Sequence, residues 1–411
     1  MMNETRERVT LPTDANASGR CLGAEELALL AEVVASGVLN GTKGPMVPRL
    51  EREFAARYGV PHCVAVSSGS TAVHAAIAAI NPQPGDEIAT TPITDMGAIA
   101  PILYQGALPI FADVEPASLN VTAQTIERAL TPRTRAIIVT HLFGAPCEME
   151  PILRLAEERD LPIIEDTAQA FLATYGGKLV GTLGRLGCFS LQQGKHMTCG
   201  EGGLVLVHTA SDARHLTLFR DKGWGYGDAQ PDHEFLAPNG RLTDLQAAVA
   251  VAQLAKLDAC VQSRRARAAQ FTALIADLPG VVPQRVPDGA QSSYWKFALL
   301  IDEAETGADV GQIAAYLRQE FEIASAPRYV QKPAFECRVL RERRTFGASE
   351  FPFVGAHRDG QPPLEYRAQD YPGAYEALRR VLVLPWNENY TAEHVSYLAD
   401  ALRRAVAHFR G

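Results

Sequence analysis

Residues 163–203 read IIEDTAQAFLATYGGKLVGTLGRLGCFSLQQGKHMTCGEGG and decide the fold. Two apolar runs frame this stretch: Pro162–Asp166, which ends in a carboxylate, and Cys188–Leu191, which leads into a turn with Gly194 and Lys195. Apolar runs without alternating polar positions are typical of strands that helices cover on both faces. The stretch therefore predicts a buried, mostly parallel sheet with an acid and an amine at the ends of its strands.

The rest of the N-terminal half repeats this pattern of short apolar strands and amphipathic helices. Further predicted strands are Cys63–Ser68, Glu87–Thr94, Pro109–Val114, Ala136–Leu142 and Leu204–His208. Predicted helices are Ser70–Ile80, Glu148–Arg159 and a long segment from Asp244 through Leu257 toward Phe271, for which Thr243 and Gln246 form a capping box. Strands that alternate with helices indicate βαβ units and an α/β fold.

The length of 411 residues suggests two or three domains. The segment Leu278–Ala290, rich in Pro, Gly and Val, breaks the helical pattern and is the predicted boundary. We therefore expect a large α/β domain over residues 1–275 with a seven-stranded sheet, and a smaller C-terminal α+β domain over residues 276–411. The smaller domain ends in a predicted amphipathic helix, Ala392–Phe409.

Composition excludes several classes of protein. Lys and Arg total 39 against 47 Asp and Glu, and this net charge of -8 argues against nucleic acid as a partner. The first twenty residues lack the apolar core of a signal peptide and no apolar run reaches membrane-spanning length, so we expect a cytoplasmic protein without a membrane partner. The seven cysteines are scattered without a CxxC pair, which predicts neither a disulfide framework nor a metal site.

Two features at predicted strand ends suit a phosphorylated pyridine ligand. Ser67–Thr71 places hydroxyls and free backbone N–H groups at a helix N-terminus, which suits a phosphate, although an ordinary helix cap explains it equally. The Asp166 carboxylate would be costly to bury unless a cation such as a protonated pyridine nitrogen meets it. The alternative is that Asp166 or Thr167 caps a short helix.

Lys195 is the third feature. An amine between an apolar strand and a glycine-rich turn is partly withdrawn from water, which lowers its pKa and suits Schiff-base chemistry, whereas most lysines are solvated surface charges. The Gly194-Lys195 pair is not a phosphate-binding P-loop, because Phe189 occupies the position of the first glycine of that motif and His196 that of its Ser or Thr.

In the order of these features, and above all in residues 163–203, the chain resembles the DegT/DnrJ/EryC1/StrS aminotransferases from about Gly37 to its C-terminus. These are pyridoxal 5'-phosphate (PLP) enzymes of fold type I that aminate keto-sugars and keto-cyclitols and cycle through the pyridoxamine form (PMP). The resemblance implies that Lys195 and Asp166 are catalytic, holding the cofactor as a Schiff base and pairing with its pyridinium nitrogen. It implies further cofactor contacts from Gly69, Ser70, Gln169 and Ser190.

The resemblance also implies partners. It predicts a homodimer with shared active sites, in which Asn239 reaches the partner's cofactor phosphate, and glutamate or glutamine as the amino donor. The acceptor would be a keto-sugar or keto-cyclitol in secondary-metabolite (aminoglycoside-like) or amino-sugar biosynthesis. One alternative is a related sugar dehydratase with histidine in place of the lysine, although His196 is one position out of register. The other alternative is a non-catalytic regulator on the same fold.

The chain departs from the family pattern at the position of the ring-stacking aromatic residue, and the roles of His141 and of the acceptor-site segments have more than one interpretation. The family's aromatic residue that stacks on the cofactor ring is replaced here by Asp95 and Met96. The resemblance therefore implies that ring packing comes from the Met96 side chain or from elsewhere in the chain. His141 matches a motif beside the cofactor, although a satisfied structural histidine is as good an interpretation. By position, Trp224–Phe235 and Arg328–Phe353 are expected to line the acceptor site, and the first of these is equally consistent with a solvated hairpin.

Overall fold

The computed structural model describes residues 9–326 and 331–410. The α-helices of these residues are α1 (Ala24–Ser36), α2 (Met46–Tyr58), α3 (Gly69–Ile80), α4 (Ala100–Tyr104), α5 (Ala123–Ala129), α6 (Met149–Glu158), α7 (Ala210–Arg220), α8 (Asp244–Ile275), α9 (Glu303–Thr306), α10 (Val310–Phe321), α11 (Arg338–Arg341), α12 (Pro372–Arg380) and α13 (Ala392–Arg410). The strands are β1 (His62–Val66), β2 (Glu87–Thr90), β3 (Leu108–Phe111), β4 (Thr134–Thr140), β5 (Ile163–Asp166), β6 (Thr174–Tyr175), β7 (Lys178–Leu179), β8 (Leu186–Ser190), β9 (Gly203–Val207), β10 (Val281–Pro283), β11 (Ala290–Gln291), β12 (Phe297–Ile301) and β13 (Val381–Leu384).

A seven-stranded sheet in the order β1-β9-β8-β5-β4-β2-β3 forms the centre of the molecule. Its strands correspond to the seven predicted runs, which confirms the predicted sheet. The predictions for β1 to β4 were too long at their C-terminal ends. The largest difference is at β2, which ends at Thr90 rather than Thr94, because Pro92 cannot donate to a strand ladder. Pro109 is accommodated within β3 because that strand lies at the edge of the sheet.

The sheet is parallel except at β9, which runs antiparallel to both β1 and β8. The connection between β8 and β9, residues 191–202, is described throughout and contains no helix. Parallel neighbours need a crossover, usually through a helix, so a chain that returns directly pairs antiparallel. The turn that carries Lys195 is thus held between two paired strands.

The long helix α8 begins where the capping box predicts. Thr243 Oγ1 accepts from the Gln246 backbone N–H at 3.2 Å, and Gln246 Oε1 accepts from the Thr243 N–H at 3.1 Å. The helix runs beyond the predicted Phe271 to Ile275 and packs against α1, α2 and α13. Buried alanines such as Ala247, Ala248 and Ala250 let these helices approach closely.

Residues after α8 build a three-stranded antiparallel sheet, β10-β12-β13, which α10 and α13 cover. A third sheet joins β11 to β6 and β7 and so links the two halves of the chain. Trp295 and Phe335 belong to the same hydrophobic cluster as Ile137 of the central sheet. The division into domains of residues 1–275 and 276–411 remains a prediction. Because both halves contribute side chains to this hydrophobic cluster, they pack closely against each other.

We expect Thr243→Ala to lower the free energy of unfolding by about 1 kcal/mol, because it removes the hydroxyl that caps α8. Thr272→Ala is the matched control, since Thr272 is exposed in the last turn of the same helix, at the end opposite to the cap. Urea unfolding of both variants measures the difference. Equal stability of the two variants would contradict a stabilising cap.

Candidate active site

The predicted functional residues meet at the carboxyl edge of the central sheet. Strand β5 ends at Asp166 and its parallel neighbour β8 ends at Ser190, while α3 begins directly after β1. Open α/β sheets bind ligands at this edge. The cavity here has a volume of about 400 Å³ and is lined by Ser68, Gly69, Ser70, Val73, Thr94, Asp95, Gly97, Ala98, Asp166, Ala168, Gln169, Ser190, Gln192, Lys195, Glu201 and Trp295.

One end of the cavity is a corner of hydrogen-bond donors. Ser68 Oγ accepts from the Thr71 N–H at 3.0 Å and caps α3, so the helix cap proposed from the sequence is present. A Cβ on Gly69 would lie 2.7 Å from Ser190 Cβ, and one on Gly97 would lie 2.4 Å from Ser70 Oγ. The two glycines therefore bring two hydroxyls and a helix N-terminus together, which suits a phosphate.

Asp166 is only 7% exposed and lies at the end of β5. Its Oδ1 accepts from the Ala168 N–H at 3.2 Å within a turn, and no helix begins at this point of the described chain. Burial raises the pKa of Asp166, while the Ala168 N–H and the Lys195 ammonium act in the opposite direction. A cationic ligand group next to this carboxylate would compensate its burial.

Lys195 faces the same cavity from the turn between β8 and β9. Desolvation lowers the pKa of its amine to about 8, and the negative charges of Asp166 and Asp95 oppose this effect. The Nζ atom lies 4.1 Å from the centroid of the Trp295 ring, which covers the amine with an apolar face. The expected withdrawal of Lys195 from water is confirmed. A larger fraction of this amine than of an ordinary lysine is unprotonated and nucleophilic near neutral pH.

Gln169 and His141 occupy different environments. Gln169 lines the cavity, and its Oε1 accepts from the Phe143 N–H at 2.8 Å, which leaves the NH₂ group as the end available to a ligand. His141 is fully buried: its Nδ1 accepts from the Cys147 N–H at 3.0 Å, and its Nε2 lies 3.1 Å from Glu165 Oε2. Both ring nitrogens are therefore engaged, as in the structural interpretation of this histidine.

Some residues expected near the ligand lie elsewhere. Met96 is not among the residues that line the cavity in the described chain; it packs against the hydrophobic core, while its neighbours Asp95 and Gly97 line the wall. The reason is local: Asp95 Oδ1 accepts from the Gly97 N–H at 2.8 Å and starts a tight 3₁₀ turn at Met96. Met96 is thus turned toward the core rather than the ligand space.

The two expected acceptor segments also do not reach the cavity of their own chain, as far as the structure describes them. Residues 224–235 form a hairpin with a bridge between Trp224 and His233. In the second segment, Arg328–Val330 lies outside the described residues, and Phe335 and Phe353 are buried in the core. Asn239 lies in a bridge with Asp221, outside the cavity walls described for this chain.

Trp295 and Glu201 line the cavity, although they were not predicted from the sequence. Trp295 lies a hundred positions after Lys195 in sequence, and its Nε1 donates to the Gly194 carbonyl at 2.6 Å. The sequence next to Trp295 carries no local signal of a contact with a turn so distant in the chain. Glu201 belongs to the glycine-rich turn already singled out, so its exposed carboxylate at the cavity wall could have been proposed from its position.

These groups fit pyridoxal phosphate. The corner at Gly69, Ser70 and Ser190 supplies donors for a phosphate, the Asp166 carboxylate suits a protonated ring nitrogen, and the Lys195 amine suits an aldehyde. In the described part of the chain, no group of three or more His, Cys, Asp or Glu side chains could hold a metal ion. None of the helices in residues 9–326 and 331–410 is both long and apolar enough to span a bilayer.

The fold and the cavity define a pyridoxal-phosphate-dependent aminotransferase of fold type I. The chain belongs to the DegT/DnrJ/EryC1/StrS aminotransferase family, which it matches over residues 20–358. It is 29% identical to the spore coat polysaccharide biosynthesis protein SpsC of Bacillus subtilis (strain 168) over 399 residues, 94% of this chain and 95% of SpsC.

Solved structures agree with this assignment. The aminotransferase TlmJ from Streptoalloteichus hindustanus is 26% identical and superimposes with a TM-score of 0.82, covering 96% of this chain and 99% of TlmJ. DesV of S. venezuelae is 27% identical with a TM-score of 0.80, covering 93% of this chain and 94% of DesV. The similarity extends over both halves of the chain, including the residues after α8.

We expect Asp166→Asn to lower the pKa of Lys195 below about 8 in the cofactor-free protein, because the Asp166 charge favours the protonated amine. Asp95→Asn should lower it less, since Asp95 makes the smaller contribution. Competitive labelling with acetic anhydride across a pH series, read by mass spectrometry at the Lys195 peptide, gives the midpoint. Asp86→Asn is the control, because Asp86 pairs with Arg135 away from the cavity. An unchanged midpoint in Asp166→Asn would contradict the electrostatic coupling.

Proposed function

We propose that this enzyme transfers an amino group from glutamate or glutamine to a keto-sugar or keto-cyclitol, with Lys195 and Asp166 as its catalytic residues. The observation that carries the proposal is the common cavity of the Lys195 amine, the buried Asp166 carboxylate and the donor corner at α3. Each element is ordinary alone. Together they match the aldehyde, ring nitrogen and phosphate of one cofactor.

When bound, pyridoxal phosphate supplies an aldehyde that condenses with amines and a ring that accepts electrons from a broken Cα–H bond. Asp166 holds the proton of the ring nitrogen through its negative charge. Lys195 Nζ would hold the cofactor covalently; released by exchange with the donor amine, it would take the proton from the donor Cα and deliver it to the aldehyde-derived carbon of the cofactor. A pKa of about 8 suits this amine to both directions of transfer near neutral pH.

The remaining cofactor contacts orient the ring. Gly69, Ser70 and Ser190 would hold the phosphate, and the NH₂ of Gln169, whose Oε1 accepts from the Phe143 N–H, would donate to the ring's phenolic oxygen. Trp295 covers the lysine amine and excludes water from it. Met96 was also assigned to the cofactor; in this arrangement its backbone, between Asp95 and Gly97, shapes the wall rather than its side chain.

The acceptor class rests on the relatives and on the cavity wall. SpsC is a spore coat polysaccharide biosynthesis protein, which supports a sugar as the acceptor of this enzyme. Asp95 and Glu201 are exposed at the cavity wall, and their carboxylates suit the hydroxyl groups of a sugar or cyclitol. We propose that the reaction belongs to secondary-metabolite (aminoglycoside-like) or amino-sugar biosynthesis.

The dehydratase alternative requires a histidine in the position of the lysine. His196 does not serve, because it is buried, its Nε2 lies 3.0 Å from the Ser293 carbonyl oxygen, and it is outside the cavity walls of the described chain. The regulator alternative is disfavoured because the chain retains Lys195, Asp166 and Gln169 together. Transamination is therefore the function that these residues support best.

We also propose a homodimer with shared active sites. Asn239 was assigned to a cofactor phosphate, and it lies outside its own chain's cavity walls. It can contribute to catalysis only if it meets a second copy. Leu27 and Val34 are exposed and lie seven positions apart on one face of α1, which would suit a contact with a second copy.

The half-reaction tests the proposed transamination. With glutamate and no acceptor, the holoenzyme should release 2-oxoglutarate up to one equivalent per active site and then stop. Asp166→Asn should slow this release by at least about 100-fold, because a neutral amide cannot hold the ring proton. Asp86→Asn should behave as the wild type. Repeating the assay with glutamine identifies the donor, and failure of both amino acids to yield an oxo acid would contradict the proposal.

Mixing two inactive variants tests the shared site. Dimers formed from Lys195→Ala and Asn239→Ala chains contain one complete site each, so random mixing should recover about one quarter of the wild-type rate at limiting cofactor. The matched control mixes Lys195→Ala with Asp166→Asn, since both residues belong to the same chain's site and no complete site forms. No recovery in the first mixture, with mixed dimers verified by mass, would contradict the role of Asn239.

A further inference from the structure

Residues 13–20, which we call the N-terminal strap, contact the turn that carries Lys195 through a backbone carbonyl and the Gln193 side chain. Arg20 is buried at 6% exposure, and its Nη1 donates to the Lys195 carbonyl oxygen at 2.8 Å. Its Nη2 lies 2.5 Å from Asp14 Oδ1. One guanidinium thus connects the backbone of the proposed catalytic lysine to a carboxylate of the strap.

Asp14 is itself fixed by the C-terminal part of the chain. Lys296 Nζ donates to its Oδ2 at 3.0 Å, and Asn387 Nδ2 donates to its Oδ1 at 2.7 Å. Its backbone carbonyl accepts from Gln193 Nε2 at 3.0 Å, within the Lys195 turn. Elements far apart in sequence therefore converge on one carboxylate.

We propose that Arg20, oriented by Asp14, is a positioning residue that holds the Lys195 turn so that the lysine amine stays covered by Trp295. This inference rests on the proposed role of Lys195. Asp14 precedes the part of the chain that matches the family, residues 20–358, and Asn387 follows it. The arrangement thus depends on residues that the family match does not include.

The geometry favours a guanidinium in this place. A guanidinium carries its charge over several N–H groups, so Arg20 can donate through Nη1 to the Lys195 carbonyl while its Nη2 forms an ion pair with Asp14. An ammonium on a flexible chain keeps the charge but not both of these contacts. Truncation would also leave the Asp14 carboxylate with one buried cationic partner fewer.

The charged groups around the Lys195 amine come from four elements. Asp166 at the end of β5 and Asp95 before the 3₁₀ turn favour its protonated form, and Lys296, next to Trp295, disfavours it. His196 on the same turn is kept neutral because burial lowers its pKa well below the usual range. Desolvation is the dominant influence on the amine, so release of the turn into water should raise the pKa of Lys195 from about 8 toward its ordinary value of 10.5.

The experiment compares Arg20→Lys and Arg20→Ala with the wild type in the full-length, cofactor-free protein. Acetic anhydride labelling across pH, read at the Lys195 peptide, should show a midpoint raised by about one pH unit or more in both variants. Arg267→Ala is the matched control, because Arg267 also donates to a backbone carbonyl, that of Tyr390, but does not touch the turn. Its midpoint should equal that of the wild type.

Two results would overturn the proposal. A wild-type midpoint in Arg20→Ala would remove any positioning role. A raised midpoint in Arg20→Ala with a wild-type midpoint in Arg20→Lys would mean that charge alone matters, not the guanidinium's hydrogen bond to the Lys195 carbonyl. Should Arg20→Ala fail to fold by circular dichroism, Gln193→Ala serves instead, since it removes only one contact between strap and turn and should raise the midpoint in the same direction. The readout does not depend on transamination, so its failure is distinct from failure of the proposed function.

Discussion

The withdrawal of the Lys195 amine from water, in a cavity that also holds the buried Asp166 carboxylate, is the constraint on which the rest of the site depends. Desolvation disfavours the charged amine and the charged acid separately, and their proximity partly offsets both effects. Such groups are held in place only by a rigid frame. The paired strands β8 and β9 on either side of the lysine turn, and β5 beside them, supply that frame.

The lysine turn between these strands is bonded both by the N-terminal strap and by the C-terminal half of the chain. Trp295 from the C-terminal half bonds the Gly194 carbonyl, and the strap bonds the next carbonyl through Arg20. Backbone carbonyls of a turn that lacks regular secondary structure would otherwise require water as their partner. Bonding these two carbonyls to protein donors holds the turn in place. It also ties the cofactor site to the packing between the two halves of the molecule.

Local patterns in the sequence were sufficient to predict the strands around the site, but not the long-range contacts that hold the lysine turn. The seven central strands and the start of α8 at Thr243 followed from apolar runs and a capping box, since these are short-range features. The withdrawn state of Lys195 also followed from its position between an apolar strand and a glycine-rich turn. The contact of Arg20 with Lys195 spans 175 positions, and no periodicity encodes such a distance. The packing of the Met96 side chain on the core was not indicated by the sequence, because the 3₁₀ turn after Asp95 depends on a single side-chain bond.

The most direct test of the account is to find the lysine that binds the cofactor. Reduction of the holoenzyme with borohydride, followed by peptide mass mapping, should place the pyridoxyl group on Lys195, with the other lysines unlabelled. A label on any other lysine, or a purified and reconstituted protein with no reducible cofactor bond, would contradict the central claim.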